Sequence, residues 1–320
     1  MFPLEPHQTA LVALGAIAFG IWLLVKGGDW TVDNAVIVAE RSSVSKLFIA
    51  ATIVAFGTSA PELFTSVNAN LSGYPGIAVG NVIGSNIANV FMVVAISAVI
   101  APVLFNRKEI RVDTLVMLGA TAAMVPPVLA GVLSREAGIA MVAALVAYVF
   151  YQYRASRLEI DEAGGDDAGA RAPWLMLLAG IATLVIGSEI LVRGAVAGGI
   201  ALGVPEAVIG MTLIAVGTSL PELTACIAAA RKGQSDVILG GILGSNIFNI
   251  LSVMALSAAV TPLVIEPRFA AVDMPVAVGV TAVFAAFLLA GNRIGRLAGA
   301  AMFLCYLAFV IAQFTLWADA

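Results

Sequence analysis

Charge is the scarcest commodity in this chain. Only 11% of its 320 residues are charged, against about a quarter in a soluble domain, while 61% are hydrophobic and the mean hydropathy is +1.03. That balance excludes a soluble globular domain and predicts an all-α integral membrane protein with the lipid bilayer as its surroundings. Histidine is nearly absent: His7, in the N-terminal tail, is the only one, so a histidine-dependent membrane enzyme has no support and no enzymatic activity is expected. The two cysteines, Cys226 and Cys305, both fall in apolar stretches, where small packing residues are expected rather than a disulfide. Residues 1–9 carry Glu5 but no Lys or Arg, so the basic n-region of a secretory signal is missing and the first helix is expected to be kept. The net charge of −4 (16 − 20) names no partner; no nucleic-acid partner is expected, and the oligomeric state is open.

Apolar stretches of about 20 residues, the length needed to cross the hydrocarbon, fall at Thr9–Val25, Leu47–Ala69, Ile77–Ala101, Val112–Leu133, Ala137–Tyr153, Trp174–Val192, Val208–Ala230, Val237–Thr261, Ala270–Ala290 and Ile294–Trp317. Ten transmembrane helices follow, with the first and sixth free to run on. Lys26, Arg41, Lys46, Arg107, Lys108, Arg111, Arg154, Arg157, Arg171, Arg231, Lys232, Arg293 and Arg296 follow odd-numbered helices, whereas only Arg135, Arg193 and Arg268 follow even-numbered ones. The positive-inside rule therefore predicts odd connections in the cytoplasm and both termini outside.

The chain is also written twice. Gly57-Thr58-Ser59-Ala60-Pro61-Glu62-Leu63 returns 160 residues later as Gly217-Thr218-Ser219-Leu220-Pro221-Glu222-Leu223. The same offset carries the stretch from Gly80 to Asn89 onto that from Gly240 to Asn249, Pro102 onto Pro262 and Asp113 onto Asp273. Five spans per copy is an odd number, so the second copy enters the membrane from the opposite side, and such inverted repeats characterise secondary transporters with a midplane site. The expected organisation is a first five-helix repeat over residues 1–153, a cytoplasmic linker over 154–173 and a second, inverted repeat over 174–320. Glu159, Asp161, Glu162, Asp166 and Asp167 in the linker lack the spacing of a calcium-binding loop and read as a solvated connector.

Each copy puts a glutamate directly after a helix breaker. Pro61 and Pro221 have no N–H to donate, which frees the carbonyls of Gly57 and Gly217, so each second helix is expected to break there. Freed carbonyls at membrane depth are costly unless they line a cavity or hold an ion. Counting from the loops puts Glu62 level with Ser85, and Glu222 level with Ser245. Ser85 and Asn89 share a helical face, as do Ser245 and Asn249, Thr58 and Glu62, and Thr218 and Glu222. Two carboxylates among hydroxyl, amide and freed carbonyl oxygens make a site for hard cations; Ca²⁺ takes six to eight oxygens in flexible geometry. Gly80 with Gly84 and Gly240 with Gly244 suit close helix packing. Asp29 and Glu189, equivalent in the repeat, are read as helix-end or interfacial groups.

On these residues the chain resembles the cation/calcium antiporter superfamily, most closely its prokaryotic sodium/calcium exchanger branch, over its whole length. The resemblance implies that Glu62 and Glu222 ligate Ca²⁺ and Na⁺, that Thr58 and Thr218 add oxygens, and that Ser85 and Ser245 help form flanking Na⁺ positions. It further implies sodium contacts from the carbonyls of Ala55 and Ala215, a central site lined by Asn89 and Asn249, and long first and sixth helices that slide to expose the site alternately. Ser59 and Ser219 complete the duplicated hydroxyl sets, and Gly-Thr-Ser-x-Pro-Glu resembles the sodium branch rather than the Gly-Asn-x-x-Glu of proton-coupled relatives. Archaeal members often carry aspartate where this chain has Asn249. The expected function is Ca²⁺/Na⁺ antiport across the cell (inner) membrane, with Ca²⁺/H⁺ exchange or a passive cation channel as the alternatives and no cofactor.

Overall fold

The computed structural model describes residues 6–42, 44–161, 171–201 and 217–315. Helix dominates. In chain order the elements are α1 (Pro6–Arg41), α2 (Lys46–Ile49), α3 (Ala55–Thr58), α4 (Ala60–Leu71), α5 (Pro75–Ala88), α6 (Ala95–Ile100), β1 (Val103–Leu104), α7 (Arg107–Ala130), β2 (Val132–Leu133), α8 (Arg135–Asp161) and α9 (Arg171–Ala201). They continue with α10 (Leu220–Arg231), α11 (Ser235–Phe248), α12 (Ala255–Val260), β3 (Leu263–Val264), α13 (Met274–Ala290), β4 (Arg293–Ile294) and α14 (Arg296–Thr315). Short π-helical segments at Ala50–Val54, Asn89–Val94 and Asn249–Met254 join neighbouring helices without ending the span, and one at Phe269–Asp273 leads into α13.

Among the described residues eight helices are long and apolar enough to cross a membrane, or nine when the bent pair Lys46–Thr58 and Ala60–Leu71 counts as one span. The seventh expected span, Val208–Ala230, begins outside the described residues. Two boundaries move. The first helix runs for 36 residues, which at about 1.5 Å per residue is about 54 Å, beyond the roughly 30 Å of hydrocarbon. Lys26, expected in a connection, therefore lies inside α1, and Arg193 lies inside α9. The backbone stays helical through the headgroup zone because nothing there breaks it. Likewise α8 continues to Asp161 and α9 starts at Arg171, which narrows the connector expected over 154–173 to residues 162–170, outside the described residues.

Not every residue is helical. β1 pairs antiparallel with β4, and β2 with β3. Two-residue segments that leave a helix end here satisfy their backbone groups on each other, one pair joining the connection between α6 and α7 to that between α13 and α14, the other the connection between α7 and α8 to that between α12 and α13.

Burial sorts the spans. The helices over Ser235–Val260 and Pro75–Ile100 are 94% and 72% buried over their most apolar windows, against 28% for α1 and 11% for α14. The first two therefore form the centre, and the second two turn Leu11, Leu14, Phe19 and Trp22, or Leu297, Leu304 and Ile311, outward. Glycine sets how closely helices approach. A Cβ on Gly20 would stand 2.8 Å from the carbonyl oxygen of Gly187, and one on Gly180 only 2.7 Å from the Thr31 nitrogen, so α1 and α9 lie against each other nearly backbone to backbone. Gly240 and Gly244 bring α11 onto the first copy's broken helix, where a Cβ would be 2.7 Å from Leu47 O and 2.4 Å from Ala51 O. Gly138 of α8 seats on Ala255 O and Gly299 of α14 on Ala95 O in the same way. α8 of the first copy thus packs on α12 of the second, and α14 of the second on α6 of the first.

Candidate functional site

The break in the second span falls at Ser59, whose φ of −82° and ψ of 7° are non-helical, and the two parts meet at a bend of 43°. Pro61 sits in the first turn of α4, where a missing N–H costs nothing. Glu62 follows in the same turn, and Glu222 holds the equivalent place in α10 behind Pro221. At a helix N-terminus the peptide dipoles favour negative charge. One freed carbonyl finds a partner: the Ser188 hydroxyl of α9 donates to Gly217 O at 2.6 Å.

The two copies then interlock. Ser59 Oγ of the first copy donates to Glu222 Oε1 of the second at 3.1 Å, and Ser245 Oγ reaches the same oxygen at 3.5 Å. Thr58 also lies against Glu222, while Thr218 and Ser219 lie against Glu62, and the two carboxylates are near enough to repel each other. Ser219 Oγ donates to Ser85 Oγ at 3.5 Å. Helical spacing pairs Thr58 with its own copy's Glu62; the break at Ser59 turns it instead towards the other copy's glutamate. Glu62, Glu222, Thr58, Ser59, Ser219, Ser85, Ser245, Asn89 and Asn249 are all buried, and Thr218 is half-buried.

Two expected ligands stand differently. The carbonyl of Ala55 accepts from Ser59 N–H at 3.0 Å and from Thr58 Oγ1 at 3.3 Å, so both of its lone pairs are engaged in this conformation. Ala215 lies outside the described residues. Asp29 and Glu189 stay away from the cluster: Asp29 pairs with Lys232 at 3.2 Å, as Asp33 does at 2.8 Å, and Glu189 pairs with Arg193 one turn along α9. Cys226 and Cys305 are both free, the first buried and the second exposed.

Asn86 and Asn246 belong to the site's surroundings although sequence reasoning passed them over. Asn89 Nδ2 donates to Asn246 Oδ1 at 3.0 Å, and Asn249 Nδ2 donates to Asn86 Oδ1 at 3.0 Å. The available signal was their place in both copies three residues before Asn89 and Asn249. Asn81 was also missed: its amide donates to Ser66 Oγ at 2.9 Å and Glu62 O at 3.3 Å, and its oxygen accepts from Thr218 Oγ1 at 3.3 Å.

Among the described residues, four buried oxygens in this cluster have no donor: Glu62 Oε2, Glu222 Oε2, Asn89 Oδ1 and Asn249 Oδ1. None of the ion pairs among the described residues involves either glutamate. An uncompensated buried charge costs about 3–5 kcal/mol, so a pair of carboxylates here calls for a positive partner. Among the described residues no three His, Cys, Asp or Glu side chains gather; the two charges are supplemented by neutral oxygens. Two carboxylates cancel the charge of one divalent cation, and neutral oxygens complete its shell without holding it irreversibly.

The family model described as "Sodium/calcium exchanger protein" matches residues 12–154 and 172–315. The chain is 31% identical over 343 residues to the sodium/calcium exchanger MaX1 of Methanosarcina acetivorans, covering 93% of this chain and 97% of that protein. It is also 31% identical over 287 residues to the inner membrane protein YrbG of Escherichia coli, covering 86% and 88%. Among solved structures, the sodium-calcium exchanger NCX_Mj soaked with 2.5 mM Na⁺ and 0.1 mM Ca²⁺ superposes with a TM-score of 0.81 at 31% identity, over 95% of this chain and 98% of that one.

Proposed function

The chain belongs to the sodium/calcium exchanger protein family, and from that premise we propose that it is a secondary active antiporter that exchanges Ca²⁺ for Na⁺ by alternating access. The observation that carries this reading is the set of four buried, donor-free oxygens contributed in equal number by the two copies. Ca²⁺ accepts six to eight oxygens at irregular angles, whereas Mg²⁺ demands a near-ideal octahedron; a cluster of two carboxylates, two amide oxygens and mobile hydroxyls fits the first. Emptied of Ca²⁺, the same carboxylates need other cations, and the duplicated Thr58/Ser59/Ser85 and Thr218/Ser219/Ser245 hydroxyls offer Na⁺ its small oxygen sites. Obligatory alternation between those two loads is antiport.

The ten-helix, inverted organisation belongs to this proposal. It is supported by the strand pairs, which join connections three and nine on one side and four and eight on the other, as odd and even connections of an inverted repeat would be. Both termini then lie outside, the connector near residue 166 lies in the cytoplasm, and the protein resides in the cell (inner) membrane. A single cysteine introduced at Asp166 that reacts with an impermeant reagent from outside intact cells would overturn this orientation.

The decisive experiment is ⁴⁵Ca²⁺ flux into proteoliposomes with Na⁺ and pH gradients set independently. An outward Na⁺ gradient at equal pH is expected to drive Ca²⁺ uptake. With more than two Na⁺ per Ca²⁺, net positive charge leaves as Ca²⁺ enters, so an inside-negative potential slows uptake and an inside-positive one speeds it. Uptake that ignores Na⁺ and follows the pH gradient would replace this reading by Ca²⁺/H⁺ exchange, and uptake needing no counter-ion would make the protein a channel.

A further inference from the structure

Asn89 and Asn249 each start a π-helical segment, Asn89–Val94 and Asn249–Met254, where the wider turn re-aims a side chain relative to the regular helix before it. Both side chains are buried, and each has two ends with different needs. The amide nitrogens cross to the other copy, Asn89 to Asn246 Oδ1 and Asn249 to Asn86 Oδ1, both at 3.0 Å. Asn86 Nδ2 is itself fixed on Asn246 O at 3.2 Å, and Asn246 Nδ2 on Met117 Sδ at 3.7 Å. A side-chain amide whose nitrogen is held in this way has one direction left for its oxygen. Both oxygens, Asn89 Oδ1 and Asn249 Oδ1, are the ones without a donor, on the helical faces that also carry Ser85 and Ser245.

We propose that Asn86 and Asn246 are positioning residues that determine cation affinity: each, from its own copy, turns the other copy's central asparagine so that its carbonyl oxygen points at the transported ion. The inference rests on the cation-exchange reading above and adds which residue orients which. It carries a consequence that simple core packing lacks. Asn86 acts through Asn249 and Asn246 through Asn89, so the functional pairs cross between copies, although Asn86 and Asn89 are only three residues apart on one helix. The two arms also differ in their backing. Met117 supports Asn246, while the equivalent residue is Ala277, which together with Met124, Met254 and Met274 leaves a small cavity beside Asn86. The Asn86 arm is therefore the one with room to swing.

The test is a double-mutant cycle on the full-length protein in proteoliposomes, reading the Ca²⁺ concentration for half-maximal Na⁺-driven uptake alongside the maximal rate. Loss of one orienting bond in Asn86→Ala or Asn246→Ala is expected to raise half-saturation about fivefold to tenfold, with a smaller change in maximal rate. In an Asn249→Ala background the Asn86→Ala change should add less than about twofold, because its target is gone; Asn246→Ala should behave alike in an Asn89→Ala background. The same-helix pairs Asn86/Asn89 and Asn246/Asn249 should instead multiply. Should an alanine variant be lost in detergent, the cycle is run with Asn86→Leu and Asn246→Leu, which keep the volume and remove the acceptor. Crossed pairs that multiply like the same-helix pairs, or single variants with unchanged half-saturation, overturn the positioning role of Asn86 and Asn246 while leaving cation exchange standing. A wild-type protein that carries no Ca²⁺ against Na⁺ overturns the functional reading and that positioning role with it.

Discussion

Ser66 and Asn81 in the first copy become Cys226 and Gly241 in the second, and Gly28 in the first becomes Ser188 in the second. On the first copy's side of Glu62, Asn81 ties Ser66, the Glu62 carbonyl and Thr218 together; around Glu222 that network has no counterpart, since neither a thiol at 226 nor a glycine at 241 can build it. In exchange, among the described residues only the second copy has a hydroxyl on its freed glycine carbonyl, from Ser188 to Gly217 O. The outlying aspartates diverge too. Asp113 is fully buried and accepts from Tyr148 at 2.8 Å and from Gln152, without a cation, whereas Asp273 accepts from Gln313 at 2.6 Å and faces Arg268. The hydroxyl and carboxylate groups that meet at the glutamates are identical between the copies, Thr58, Ser59, Glu62 and Ser85 matching Thr218, Ser219, Glu222 and Ser245. What surrounds them differs.

The strongest test of the shared part is to neutralise each carboxylate in turn. Glu62→Gln and Glu222→Gln should each cut Ca²⁺ uptake at least about a hundredfold, since removing one partner of a compensated buried charge costs about 3–5 kcal/mol, with the protein still monodisperse in detergent. A variant that retains wild-type uptake would remove that copy's glutamate from the site and break the equivalence.

Next in size comes the packing that interlocks the copies. In an ordinary helix Gly→Ala stabilises by about 1 kcal/mol, but a Cβ at Gly138 would lie 2.5 Å from Ala255 O and one at Gly299 2.7 Å from Ala95 O. Both substitutions should therefore destabilise, by about 1–3 kcal/mol, read as a lower melting temperature in detergent. Stabilisation at either site would mean that the fifth spans do not pack across copies.

Smaller effects should sharpen the asymmetry. Asn81→Gly makes the first copy like the second and should weaken Ca²⁺ half-saturation by about threefold to tenfold, the worth of one or two buried hydrogen bonds. Ser188→Gly makes the second copy like the first and should cost about 1 kcal/mol of stability. Equal effects of Ser188→Gly and of no change at all on melting would place the Gly217 carbonyl in contact with something else. Smallest is the contrast between the aspartates: Asp113→Asn, which removes a charge that has no cationic partner, should melt at or slightly above the wild-type temperature. Asp273→Asn should fall by less than about 1 kcal/mol, because Arg268 is about a third exposed and screened. A large loss in Asp113→Asn would show that its carboxylate has a cation after all.

The membrane class, the duplication and the broken helix with its glutamate were legible because each depends on a local pattern: apolar length, an exact spacing of 160 residues, and proline two positions before the end of the motif. Helix lengths were legible only in part. Lys26 and Arg193 looked like connection residues because hydropathy falls there, yet hydrogen bonding along a helix is indifferent to whether its surroundings are hydrocarbon or headgroups. Asn86 and Asn246 were marked only by their recurrence in both copies, and Asn81 by nothing, since its equivalent is Gly241; which oxygens these uncharged amides reach is decided by packing.

By itself, then, the sequence determined that the chain crosses a membrane, that it carries one unit twice, and that each unit brings a glutamate, hydroxyls and amides to one depth. Helical periodicity assigns residues to faces, and that is a property of a single segment. Which face meets which is a different matter, because each side chain of the duplicated motifs has two chemically identical candidate partners, one in its own copy and one in the other. Only the tertiary structure decided between them: Thr58 and Ser59 with Glu222, Asn89 with Asn246, and α8 on α12 with α14 on α6. The physical reason lies in the glycines at 138, 240, 244 and 299, which let backbones of different copies approach to distances that a single Cβ would forbid.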